Sequence, residues 1–401
     1  ERDSNNKKAQ SSETIIIERS SKGPGKIVID GVFFQLHNTG IAKLWEALLS
    51  CWSKRDIAKS ILLLDRNGTA PVFPGIKTIK IPAYFQPNVE PDRALMQQIC
   101  DLENADYFIS TYYSTPLTTP SIQMVYDMIP EVLKWDLSRD PQWADKARAL
   151  KQASGYVCIS ESTKRDLLML RPEIAAGKAK VALPGVDRSN FYPSLQAEIS
   201  RFRSNSGIQE QYIIMPGVSI KGYKNGRMLF EALSKSAALS NIAVLVTGSN
   251  FIHQDFLALN SSTKVYHLKL SKEDLRAAYS GSLGMVFPSL YEGFGLPVSE
   301  AMACGTPVIT TPYASLPEVA GDAALYVRNA DELMTAILEI LKPGRREQLS
   351  NAGLVQAKKF TWDKFADEVW CAITDLTGKD ESKAFQPIMP RGNSGVLELL
   401  S

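Results

Sequence analysis

The 401-residue chain is poor in the side chains that build metal centres and disulfide frameworks, with only five cysteines and three histidines. The cysteines (Cys51, Cys100, Cys158, Cys304 and Cys371) are odd in number and widely spread, with no C-x-x-C pair and no neighbouring histidines. That distribution argues against structural zinc and for a reducing, cytoplasmic compartment. No stretch approaches the ~20 consecutive apolar residues that span a bilayer, and no signal-peptide core precedes the first strand pattern. An excess of one charge is also missing. The balance of 45 basic and 43 acidic residues leaves a formal net charge of +2, which gives no bulk electrostatic reason to expect nucleic acid as a partner. No strand pattern is followed by G-x-G-x-x-G, so a dinucleotide-dependent oxidoreductase is disfavoured.

What is present is enough apolar material for two full cores. Side chains are 44% hydrophobic, and single cores stop growing near ~250–300 residues. Short β-branched runs alternate with helical-period segments from residue 26 onward, the pattern of a doubly wound α/β fold. The pattern occurs twice. Strands are expected at 26–31, 57–65, 77–82, 106–111, 122–127, 155–160 and 178–183, with helices at 40–52, 92–104, 144–153 and 162–170. A second set has strands at 212–217, 243–248, 264–270, 284–288 and 307–311, and helices at 225–238, 272–281 and 297–304, followed by helices at 345–359 and 363–377. The predicted organisation is therefore a polar tail or linker at 1–24, an N-terminal Rossmann-like domain at 25–190 and a linker at 191–207. A C-terminal Rossmann-like domain at 208–362 is followed by a closing helix at 363–378, expected to pack back on the first domain, and a tail at 379–401. The polar start from Glu1 suggests a cut from a longer polypeptide, whose other domains would be partners. Two such sheets in tandem face a cleft, and ligands bind at the carboxyl ends of their strands.

The most informative segment runs from Phe287 to Pro297, off a buried strand pattern through a glycine-interrupted turn into a helix near Pro297, where proline costs no hydrogen bond. Backbone N–H groups and the helix dipole at such a turn form an anion site suited to a diphosphate. Glu292 lies on the turn and Glu300 one turn into the helix, and carboxylates that accept paired hydrogen bonds suit the vicinal hydroxyls of a sugar or ribose. As bare Glu-x7-Glu spacing this pattern is weak, and a solvated loop explains it as well. The whole string, Glu292-Gly-Phe-Gly-Leu-Pro-Val-Ser-Glu300 followed by Ala301-Met-Ala-Cys-Gly-Thr-Pro307, is far more specific. It resembles the donor-binding signature of glycosyltransferase family 4, retaining enzymes whose two-domain arrangement is called GT-B.

Other segments fall in that family's order: Val125-Tyr126-Asp127, Ile159-Ser160-Glu161, Pro184-Gly185-Val186-Asp187, Thr247-Gly248-Ser249 and Ser315-Leu316-Pro317-Glu318. The resemblance covers residues 26–377 and is strongest at 280–326. It implies that Glu300 binds the nucleotide ribose, that Glu292 sits beside the donor sugar, and that the amides of Gly293, Phe294, Gly295 and Leu296 contact sugar and phosphate. Lys224, with Lys221 second, is the implied phosphate clamp after Gly217, though the family's frequent arginine is Tyr223 in this chain. Gly40 is the implied phosphate- or acceptor-loop glycine, with Ala42 standing where a second glycine is common. Its alternative is an ordinary helix start capped by Asn38 or Thr39. Tyr126 replaces a frequent histidine and retains a hydroxyl that could donate to a sugar. Asp127 either positions the acceptor or caps its loop, and Trp135 and Trp143 either stack on an acceptor sugar or pack internally.

No Asp-x-Asp pair is present to hold a divalent ion, and no cofactor beyond the donor is expected, because helix N-termini and lysines can neutralise the diphosphate. The resemblance implies a hexosyltransferase that uses a nucleotide-diphospho-sugar, GDP-mannose first and a UDP-hexose second. A saccharide or lipid-linked acceptor in surface polysaccharide or glycan assembly is the expected partner. The alternatives are a non-catalytic sugar-nucleotide or glycan-binding module and a nucleotide-sugar isomerase of the same architecture. Nine basic residues (Lys22, Lys26, Lys43, Lys54, Arg55, Lys59, Arg66, Lys77 and Lys80) against four acidic ones between 22 and 80 suggest either a solvated face or peripheral contact with the inner face of a membrane.

Overall fold

The computed structural model describes residues 25–36, 40–85, 89–217, 222–248 and 263–377. The expected Lys221, the 37–39 turn, Ser249 and both tails lie outside them. The first sheet contains β1 (Ile27–Asp30), β2 (Ile61–Arg66), β3 (Lys77–Ile81), β4 (Tyr107–Ser110), β5 (Ser121–Val125), β6 (Gly155–Cys158) and β7 (Ala179–Val181). The second contains β8 (Tyr212–Pro216), β9 (Ala243–Thr247), β10 (Val265–Leu268), β11 (Met285–Phe287), β12 (Val308–Thr310) and β13 (Ala324–Tyr326). All pairings are parallel, in the orders β3-β2-β1-β4-β5-β6-β7 and β10-β9-β8-β11-β12-β13. Central strands such as Ile61-Leu62-Leu63-Leu64 and Tyr212-Ile213-Ile214-Met215 are buried along their length, as expected where helices cover both faces of a parallel sheet. Strand order reverses between β1 and β4 and between β8 and β11, and those two switch points open toward each other, the position in which such sheets bind ligands.

Helices adjoining the cleft owe their placement to their apolar stripes. Gly40–Trp52 buries Leu44, Trp45, Leu48, Leu49 and Trp52, a wide helical face directed at the first sheet. The closing helix Trp362–Thr377 buries Phe365, Val369, Trp370 and Ile373 and lies against the first domain. The Trp52 indole donates to the Ala366 carbonyl at 3.1 Å and its ring meets Trp370 edge-on at 5.7 Å. Arg55 pairs with Asp367, and the Glu368 carboxylate accepts from the Leu183 amide at 3.0 Å.

One expectation needs correction. Residues 191–207 are not a free linker: Gln196–Ser206 is a helix of the second domain, with Phe202 buried and Glu198 paired to Arg276 of the helix Lys272–Gly281 at 2.6 Å. Phe191, ahead of it, is also buried and packs against Tyr279. Five of the eight described basic residues between 26 and 80 (Lys26, Arg55, Lys59, Arg66 and Lys77) are paired with acids, and Lys59 and Lys77 stay exposed within their pairs. Arg66 is wholly buried between Asp30 and Asp92, Lys26 and Lys77 share Glu103, and Arg55 is held by Asp367. Among the described residues no helix is long and apolar enough to cross a membrane.

The return of the chain to the first domain depends on Gly185. A Cβ there would stand 2.3 Å from the Trp362 nitrogen and 2.4 Å from the Thr361 carbonyl carbon, both backbone atoms. Gly185→Ala should lower stability by about 1–3 kcal/mol, the range for overpacking a rigid site. Gly177→Ala, with nothing within 4 Å of its Cβ, should change it by less than about 0.5 kcal/mol. Equal urea midpoints for the two variants would refute this packing.

Candidate active site

The second domain builds its side of the cleft from strand ends and left-handed turns that favour glycine. Gly217 and Gly248 close β8 and β9 with φ of 61° and 116°, and a Cβ on Gly248 would approach the Gly217 Cα at 3.3 Å. Beyond β8, the Tyr223 carbonyl accepts from the Leu290 amide at 2.7 Å, which ties Lys224 to the loop that leaves β11. The Lys224 ammonium lies 5.1 Å from the Tyr223 ring centre and 5.3 Å from that of Phe287. It also donates to Glu292 Oε1 at 2.7 Å. Burial, the largest single influence, would lower the lysine pKa, but the Glu292 carboxylate and the Tyr223 hydroxyl together more than offset it and hold the ammonium above its ordinary range.

The loop carrying Glu292 is fixed from behind by Ser315, whose hydroxyl lies 2.9 Å from the Glu292 carbonyl and 2.8 Å from that of Phe294. Gly295, at φ 103°, then turns the chain into the helix Leu296–Ala303, with Pro297 in its first turn. Glu300 projects from this helix, half-buried. Desolvation raises its carboxyl from the ordinary 4.5 to about 7, aided by Asp187 and opposed by the charges of Lys43 and Lys272.

The first domain supplies the opposite wall. Gly40, Ile41 and Lys43 from the helix Gly40–Trp52, together with Phe33, Tyr126 and Asp127, enclose with Tyr223, Glu292–Pro297 and Glu300 a cavity of about 410 Å³. Asp127 Oδ1 accepts from the Ile129 amide at 3.0 Å, a local turn that leads into the short helix Ile129–Val132 one residue ahead of its N-cap Met128, while the residue also lines the cavity. Burial raises its pKa, opposed chiefly by Lys146. Tyr126 requires a correction. Its hydroxyl donates to the Thr111 carbonyl and accepts from the Trp45 indole, both at 2.6 Å, so it has no proton left for a sugar although the residue borders the cavity. Trp135 is 44% exposed and faces Tyr223 across the cleft at 6.3 Å, with Trp143 behind it at 6.2 Å.

Contacts between the domains set the spacing of the two walls. A Cβ on Gly293 would fall 1.8 Å from the Tyr126 carbonyl oxygen, so glycine is required there for close approach although its φ is ordinary. Thr163 Oγ1 donates to the Gly293 carbonyl at 3.3 Å, and Tyr291 donates to Asp166. The Glu318 carboxylate caps the helix Glu161–Leu170 from the other domain, accepting from the Glu161 amide at 3.0 and 3.1 Å.

Gly40, Tyr126, Asp127, Glu292, Gly293, Phe294, Gly295, Leu296 and Glu300 thus converge on one cavity, and Lys224 reaches it through its pair with Glu292. Gly217 and Gly248 shape the strand ends instead and do not line it. Two participants were not singled out in the sequence. Lys43 is exposed on the first-domain wall, and its signal was a position three residues past Gly40 on the same helix. Glu318 acts across the domain boundary, and nothing local to it reveals that.

Residues 197–355 match the family model described as Glycosyl transferases group 1. O-antigen chain mannosyltransferase B of Escherichia coli is 45% identical over 94 residues, 23% of this chain and 25% of that protein. Both findings make this part of the chain similar to group 1 glycosyl transferases. The alignment therefore spans about a quarter of that relative's length. Sucrose-phosphate synthase of Thermosynechococcus elongatus superposes with a TM-score of 0.69 over 89% of this chain and 100% of that one, at 17% identity. HepE of Anabaena, in complex with UDP and glucose, gives 0.65 over 86% and 98%, at 16% identity. The fold is GT-B, two parallel-sheet α/β domains around a cleft.

The elevated Glu300 pKa has a stability consequence of fixed sign. A carboxyl whose folded pKa exceeds its unfolded one loses its stabilising contribution as pH rises from about 4.5 through 7. Glu300→Gln removes that loss, so without nucleotide the variant should exceed the wild type in thermal stability at pH 8, by at most about 3 kcal/mol. The difference should shrink toward zero near pH 5, and a gap independent of pH would refute the assignment.

Proposed function

We propose that this cleft transfers a hexosyl group, with retention of anomeric configuration, from a nucleotide-diphospho-sugar to a hydroxyl of a saccharide or lipid-linked acceptor. The observation that carries the reading is the convergence of the Lys224–Glu292 pair, the turn into Leu296–Ala303 and Glu300 on one cavity lined from both domains. GDP-mannose is the first donor to test and a UDP-hexose the second. A mannosyltransferase name on the Escherichia coli relative and a bound UDP in the Anabaena structure support that order.

In this reading Glu300, as a carboxylate, accepts from the ribose hydroxyls. The amides of Gly293 to Leu296 and the positive end of the following helix receive sugar hydroxyls and phosphate. Lys224 shifts part of its hydrogen bonding from Glu292 to the diphosphate, stabilising it as negative charge develops on departure. Glu292, relieved of part of that pairing, faces the sugar. The acceptor hydroxyl oxygen bonds to the anomeric carbon on the side where the bond to the diphosphate breaks, its proton passing to the departing diphosphate oxygen, with Asp127 and the Trp135 ring on the acceptor side and no enzyme–sugar bond formed. Lysines and helix termini supply the counter-charge, so the reaction as proposed uses no metal ion. The site would operate at a cytoplasmic polysaccharide-assembly step.

The test is incubation with GDP-, UDP-, ADP- and dTDP-sugars, with and without saccharide acceptors, following release of the nucleoside diphosphate and transfer of sugar. Transfer should require both substrates. Lys224→Ala should reduce kcat by roughly 100-fold or more, the usual cost of losing a charge-stabilising donor, and Glu300→Ala should act mainly on donor KM. Sugar rearrangement without acceptor would indicate an isomerase. Donor binding without any turnover would indicate a binding module.

A further inference from the structure

Among the described residues, the charged groups lining the cavity are three carboxylates (Asp127, Glu292 and Glu300) and the Lys43 ammonium, with the Lys224 ammonium joined to them through Glu292. A diphosphate brings further negative charge into this space. Lys224 does not balance it alone, because its ammonium already compensates the half-buried Glu292 at 2.7 Å, and removing it fully would leave that carboxylate without a partner in a poorly solvated place. Among the described residues, Lys43 is the cation in the cavity lining. Among the described residues no ion pair or hydrogen bond engages its side chain. Its charge is the largest favourable one acting on the Glu300 carboxyl from across the cleft.

The position of Lys43 in its helix is also unusual. Asp and Glu are the residues favoured near a helix N-terminus, where the dipole is positive, and cations are disfavoured there. The first turn of Gly40–Trp52 contains no acidic residue, and Lys43 stands at the fourth position. Lys43 therefore faces the cavity from the first-domain wall with no acid in its own helical turn to neutralise it.

Resting on the donor-site reading above, we propose that Lys43 is a second phosphate-binding residue, holding the donor diphosphate from the first domain while Lys224 holds it from the second. The diphosphate is then gripped from both walls of the cleft. Its affinity depends on the domains being together, and the phosphates rather than the base or sugar connect donor binding to closure.

The test is a ligand series measured by calorimetry on the intact chain: guanosine, GMP and GDP, with uridine, UMP and UDP in parallel. Lys43→Met should weaken the diphosphate by roughly 10-fold or more, as expected for one charge-assisted contact, weaken the monophosphate less and leave the nucleoside unchanged. Lys43→Arg should stay within about 3-fold of wild type, on the same scale. Unligated thermal midpoints should match, because the side chain is exposed. Wild-type affinity of Lys43→Met for the diphosphate would overturn the Lys43 assignment alone, and so would an equal loss for the nucleoside. Failure of the wild type to bind either diphosphate would overturn the donor-site reading and this assignment with it.

Discussion

The geometry of the cleft depends on one close approach, that of Gly293 to the carbonyl of Tyr126. With no side chain at Gly293, the second domain's loop meets the first domain backbone to backbone, where any Cβ would lie 1.8 Å from the oxygen. That contact fixes how far apart the walls stand at the level of Glu292. Thr163, the Tyr291–Asp166 bond and the Glu318 cap surround it, so the turn into Leu296–Ala303 is positioned by the other domain as well as by its own sheet. The side chains of Glu292 and Glu300 leave this turn and helix toward the cavity, and their direction is inherited from that anchoring.

The site itself is held at an electrostatic cost. Glu300 is desolvated enough to raise its pKa to about 7, and Lys224 is buried but kept charged by Glu292. Burial of several titratable groups around one cavity is what a binding or catalytic centre displays, since stability alone would favour apolar packing there. Elsewhere the fold is tied conventionally: the closing helix returns across the second domain to lock Trp52 against Trp370, so both ends of the described chain stabilise the first domain.

Much of this was legible in the sequence for identifiable reasons. Buried parallel strands appear as apolar runs, and Gly40–Trp52 has both its glycine start and its stripe in sequence. The Glu292–Glu300 string is local, so its turn and helix could be placed directly. Local reasoning failed where the partner is distant. Helix Gln196–Ser206 buries only Phe202 and so lacks a periodic stripe, which made it resemble a linker. Helix Ala330–Ile340 was not singled out, although Asn329 caps it and Asp331 and Glu332 occupy its first turn. The Tyr126 hydroxyl is consumed by Trp45, 81 positions away, and Arg55 finds its acid 312 positions along the chain. Such pairings exist only once the sheets have assembled.

The most direct measurement of the central claim is a crystal structure of the chain with a bound nucleoside diphosphate. The account predicts the phosphates between the Leu296–Ala303 N-terminus and Lys224, the ribose hydroxyls within hydrogen-bond distance of Glu300, and the Lys224–Glu292 contact lengthened or shared with a phosphate oxygen. A nucleotide seated outside this cavity, or inside it with its ribose turned away from Glu300 and the Lys224–Glu292 pair unchanged, would contradict it.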